Sequence, residues 1–99
     1  MASPREWPVW QLTLARLRRY DEARTVLEES VAHTRRSGER LLEAHGLAAL
    51  ADVSVCLGRV AAARECLDAA LALRRELGDE NGAALVLHRL RALNAEPIG

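Results

Sequence analysis

The sequence predicts an all-α fold, a stack of antiparallel helix hairpins with about five helices in all. Three observations carry that expectation. The apolar residues are almost all Ala, Leu and Val, with no Phe and a single Ile (Ile98), a supply that suits helices better than strands. The chain also repeats itself at an offset of forty residues. Finally, Gly38, Gly58 and Gly78 stand where helical patterns end, and glycine is the residue that most readily stops a helix.

The repeat is read by sliding the chain along itself. An offset of forty aligns Ala23 with Ala63, Arg24 with Arg64, Leu27 with Leu67, Ala32 with Ala72, Arg35 with Arg75 and Gly38 with Gly78. The register continues through Ala44 with Ala84, Leu47 with Leu87 and Leu50 with Leu90, and upstream through Leu17 with Leu57 and Arg19 with Arg59. One offset that holds over three segments marks a repeat protein, here of about two and a half units.

Each unit reads as two helices. The first helix is expected from about Pro4 to Leu17, with Ser3 as its N-cap and Pro4 at the first helical position, where a missing N–H is harmless. A turn at Arg18-Arg19-Tyr20 leads to a second helix from Asp21 to about Arg36, with acidic residues at its positive end and Arg35 and Arg36 at its negative end. A third helix runs from about Glu39 to Leu57 and a fourth from about Val60 to Leu77. Asp79 caps a fifth that reaches about Asn94, with Ala83, Val86, Leu87, Leu90 and Leu93 on its apolar arc. The domain is then one body over residues 1–99, with units at about 4–38 and 39–78 and a capping helix at about 79–94. Short connections make neighbouring helices pack as antiparallel hairpins.

These residues resemble the tetratricopeptide repeat. Its pattern sets two large residues three apart, a small residue directly after the second, and an Ala sixteen positions after the first with an apolar residue four further on. Trp7, Trp10 and Ala23-x-x-x-Leu27 match it, and so do Leu47, Leu50, Ala51 and Ala63-x-x-x-Leu67. Leu87 and Leu90 begin a third copy, and Arg19-Tyr20-Asp21-Glu22-Ala23 looks like the family's turn into its second helix. The departures are a unit of 40 residues where about 34 is usual, Gly38 and Gly78 in place of the helix-ending Pro, and Gln11 and Arg91 where small residues are expected. Lengthened units of this kind resemble those of bacterial, particularly actinobacterial, regulators and signalling ATPases. The resemblance implies a right-handed superhelical α-solenoid that binds a peptide or partner protein on its concave face, as the regulatory arm of a bacterial transcriptional regulator. Carried over by position, Arg5, Pro8 and Leu12, then His45, Ala48 and Asp52, then Leu85, His88 and Ala92 fall on that face.

The remaining residues exclude more than they add. All fourteen basic residues are Arg, yet the formal charge is zero, which speaks against direct nucleic-acid binding. The Arg pairs recur at helix ends, where the helix dipole accounts for them. His33, His45 and His88 form no pair at ligand spacing, so no metal is expected, and no cofactor motif or catalytic constellation points to an enzyme. Cys56 and Cys66 read as buried structural thiols. No apolar run is long enough for a membrane, and no secretory leader is legible, so a cytoplasmic protein is expected. Trp7 and Trp10 at one end of the stack and Leu90 at the other need cover, which makes a homodimer through the solenoid ends the second expectation.

Overall fold

The computed structural model describes residues 8–95, and these form four helices in chain order: α1 (Val9–Ser37), α2 (Arg40–Cys56), α3 (Val60–Glu76) and α4 (Glu80–Ala95). Each packs on the next, α1 on α2, α2 on α3 and α3 on α4, so the architecture is a sequential helical stack. The expected Ser3 N-cap and Pro4 start lie outside the described residues. The helix itself begins later than expected, at Val9, after an extended Pro8 whose carbonyl accepts from the Gln11 and Leu12 amides at 3.0 and 3.1 Å. A proline disfavours helix in the residue before it and offers no N–H of its own, which sets the start there.

The three helix stops are copies of one another. At the first, the Gly38 N–H donates to the Arg35 carbonyl at 3.3 Å and the Glu39 N–H to the Thr34 carbonyl at 2.9 Å. At the second, Gly58 donates to Val55 at 3.0 Å and Arg59 to Ser54 at 2.8 Å. At the third, Gly78 donates to Arg75 at 3.1 Å and Asp79 to Arg74 at 2.9 Å. This is the Schellman closure, which needs a left-handed residue. The glycines supply it with φ of 74°, 76° and 72°.

The stops fall every twenty residues, and the same stride backwards lands on Arg18. There the structure departs from the sequence expectation. The two helices foreseen over 4–17 and 21–36 are a single helix of 29 residues, α1, with no turn at Arg18-Arg19-Tyr20. An arginine in the left-handed region costs about 1–2 kcal/mol, and nothing in this stretch lacks a backbone donor. The junction is also tied along the helix, because Arg24 donates to Asp21 at 2.7 Å and to Glu28 at 3.0 Å.

The core sits in the later helices. Val31, Leu47, Ala51, Ala63, Leu67, Ala70, Val86 and Leu90 form one buried cluster, and among the described residues none before Val31 belongs to it. Gly46 brings α2 close to α1, since a Cβ there would stand 2.9 Å from Val31 Cγ2. Arg35 Nε donates to the buried Glu43 carboxylate at 3.0 Å, giving the α1–α2 contact its one polar tie of this kind among the described residues. The radius of gyration is 15.9 Å, against about 13 Å for a compact chain of this length, as an elongated stack gives.

Candidate functional site

The second unit shows what a closed hairpin looks like in this chain. Ala63 and Ala70 of α3 are fully buried, Leu67 is 2% exposed, and Leu47, Leu50, Ala51 and Ser54 of α2 lie against that helix side. Small residues allow the close approach and leucines fill the space beside it. Ser54, buried among them, turns its hydroxyl onto the Leu50 carbonyl at 2.8 Å, so its polarity is satisfied within its own helix.

Beyond this hairpin α4 closes over α3. Val86 and Leu90 are buried, with Ala83, Leu87 and Leu93 partly so. Between α2 and α4 lies a cleft of about 320 Å³ lined by Ala51, Asp52, Val55, Leu67, Arg89, Ala92 and Leu93. Its floor is apolar and its rim carries an ion pair between Asp52 and Arg89. A second cleft of about 420 Å³ opens at the C-terminal end of α3, along Arg75, Gly78, Glu80, Ala83, Ala84 and Leu87.

The residues expected on the groove are placed unevenly. Asp52 and Ala92 line the α2–α4 cleft. His45 is exposed, and the Arg74 guanidinium donates to its Nδ1 at 3.3 Å. His88 is exposed and Leu85 is 68% exposed, but neither lines the cleft. Leu12 is half-buried on α1, far along the chain from the cleft, and Pro8 is exposed. Arg5 and Trp7 lie outside the described residues. The sequence does not single out Val55, Arg89 and Leu93 as lining residues, although Val55 stands three from Asp52, Arg89 three from Ala92 and Leu93 four from Arg89, spacings that share a helix face.

Of the expected end residues, Trp10 is 64% exposed. Leu90 is a correction, since at 5% exposure it belongs to the core and offers no surface. The reason is that α3 already covers the apolar arc of α4, so that face is spent inside the chain. Cys56 is a second correction: it is exposed at the end of α2, whereas Cys66 is partly buried. Burial pushes the Cys66 thiol up from its ordinary pKa, with Glu65 and Glu28 adding to the effect, which disfavours the thiolate.

Electrostatics elsewhere organise turns. Asp79 accepts from the Gly82 N–H at 2.9 Å and from Arg74 at 2.6 Å, and these bonds hold its carboxyl below the usual carboxylate range. Arg24 does the same to Asp21. Arg40 pairs with Glu76 across the open ends of α2 and α3, and Arg64 donates to Asn94 at 3.0 Å between α3 and α4. Among the described residues no three His, Cys, Asp or Glu side chains gather as metal ligands would, and no helix is long and apolar enough to cross a membrane.

The comparisons with known proteins agree with this geometry. No curated protein and no solved structure matches the chain. The family pattern described as the tetratricopeptide repeat matches residues 12–76, about two thirds of the chain, and spans both the α2–α3 hairpin and the α1 helix that departs from it. The chain therefore belongs to the tetratricopeptide repeat family.

Proposed function

We propose that this chain is a protein–protein interaction scaffold, without catalytic activity of its own, that holds a peptide or a segment of a partner protein in the cleft between α2 and α4. Tetratricopeptide repeats generally mediate protein–protein contacts, and the carrying observation is the cleft itself, an apolar floor under a charged rim. Apolar lining with a few placed polar groups is what recognition sites present. The Asp52–Arg89 pair is exposed enough to re-pair with a ligand of either sign. We place it as one domain of two units and a capping helix, serving as the regulatory arm of a bacterial transcriptional regulator or signalling ATPase. Lengthened forty-residue units support that placement. Its two free cysteines suit a reducing cytoplasm.

Peptides selected from a random display library test the cleft. Their affinity should fall about tenfold or more on Ala92→Glu and on Asp52→Ala, with helical content unchanged. Equal binding by both variants would remove the cleft from consideration.

A second reading is self-association. It is favoured by Val9, Trp10, Leu14 and Leu17, which are 79%, 64%, 58% and 39% exposed on the outer half of α1. Exposed apolar rows of this kind mark contact surfaces.

A further inference from the structure

We propose that two copies of this chain exchange the outer halves of their α1 helices, each half closing the first unit of the other copy. The proposal rests on the self-association reading and adds the segment exchanged and the surface it covers.

The repeat offset supplies the argument. On α2, Leu50, Ala51 and Ser54 are buried, Ala51 in one cluster with Ala63 and Leu67 of α3, and Leu57 just past its end is half-buried. Their equivalents forty residues earlier are Trp10, Gln11, Leu14 and Leu17, and every one of them is exposed. The other side of the contact shows the same inversion. Ala63 and Leu67 are 0% and 2% exposed, whereas Ala23 and Leu27 remain only half-buried. One chain thus carries both surfaces of a hairpin contact and makes neither.

It cannot make them alone while α1 stays continuous. Gln11 and Ala23, which correspond to Ala51 and Ala63, are about 18 Å apart along a straight helix. A second copy has no such restriction. In the α2–α3 hairpin Ala51 and Ala63 stand at equal distances from Leu57, so the corresponding centre on α1 is Leu17. Two α1 helices laid antiparallel about a two-fold axis beside Leu17 pair the outer half of each with the Ala23–Leu27 face of the other. The contact is self-complementary, as a two-fold interface requires, and forms twice. It sets Leu14 of one copy beside Tyr20 of the other, and Trp10 beside Arg24, an aromatic face for a guanidinium. Trp10, Leu14 and Leu17 follow the 3–4 spacing of one helix face, so the same seam covers all three.

The cause is local. Arg18 occupies the place of Gly58, and an absent turn is a short route to exchange between protomers. Restoring a glycine at that place should let the half-helix fold back on its own chain.

The test uses the full chain with its native cysteines replaced (C56S, C66A). Light scattering of the wild type should give a dimer. Chains carrying only Gln11→Cys, mixed with chains carrying only Ala23→Cys, should oxidise to a covalent heterodimer. Adding Arg18→Gly to a chain with both cysteines should shift the disulfide to within one chain and the mass to that of a monomer. A dimer whose mixed single-cysteine chains fail to cross-link overturns the exchange and leaves self-association through another face. A monomer at the highest attainable concentration, or a disulfide that closes within one chain while Arg18 is still present, overturns the exchange and the self-association reading together.

Discussion

The first and second units carry the same pattern at a fixed offset of forty residues, yet one is a closed hairpin and the other a straight helix. In the second unit Leu47, Leu50, Ala51, Ala63 and Leu67 are all buried. In the first, the equivalent Trp10 is the most exposed of the large residues after Val9 and Leu85. Two of the positions that differ bear directly on the reversal. Arg18 stands where Gly58 turns the chain, and Gln11 stands where Ala51 permits close approach. A turn residue and a small contact residue act together, one making the reversal possible and the other making it worthwhile. Repeat similarity in sequence therefore does not guarantee repeat similarity in structure when the residues lost are the ones that punctuate it.

The contrast can be broken by comparing equivalent substitutions. The largest effect is expected from Leu67→Ala, which removes a side chain at 2% exposure from the centre of the core and should cost about 2–5 kcal/mol. Leu27→Ala, its equivalent, should cost about half of that or less in dilute solution, because the side chain is only half-buried. Urea melts of the two variants measure the gap, and equal losses would mean that the first unit is already closed.

The next effect sharpens the role of the turn. Gly58→Arg places the first unit's residue in the second unit and should destabilise it by about 1–2 kcal/mol through the left-handed backbone alone. The hairpin should stay closed, since the contact among Leu47, Ala51, Ala63 and Leu67 outweighs that strain. Small-angle scattering checks this. A rise in the radius of gyration would show that the glycine by itself decides between hairpin and straight helix.

The smallest effect concerns caps. Asp79 caps α4 through the Gly82 N–H, whereas Glu39, its equivalent before α2, makes no such bond. The Asp79 carboxyl is held below its ordinary value of 3.8, so its contribution is present above that pH and lost as pH falls through the lower folded value. Asp79→Asn should therefore melt earlier than the wild type near neutrality, and the two melting curves should converge in acid below pH 3.8.

Most of the fold was legible because it rests on local chemistry. Gly38, Gly58 and Gly78 announced their stops, and the observed ends of α2, α3 and α4 fall within a residue or so of those read from the sequence. The turn at residues 18–20 was misread for the opposite reason. It rests on the two-helix pattern of the unit and on Asp21 and Glu22 as an acidic helix start, while the stretch itself holds no residue that breaks a helix. The late start at Val9 was readable from Pro8, but Pro4 offered an equally good first position. The site was less legible. Asp52 and Ala92 could be placed by repeat position, but whether a face becomes a cleft depends on the distance between α2 and α4, which no single helix encodes. Leu90 illustrates the same limit: its place on an apolar arc was correct, and only the packing of α3 shows that the arc is already used.

The twenty-residue stride of the glycine stops has an architectural consequence. Each stop closes on the backbone of its own helix, so its geometry is indifferent to the helix after it. In a stack where units touch only their neighbours, length is then free to vary while packing stays fixed. A forty-residue unit can be gained or lost between Gly38 and Gly78 without re-registering the rest, and losing a stop merges two rungs into one long strut. Such a chain changes its reach by whole units and its shape by single residues.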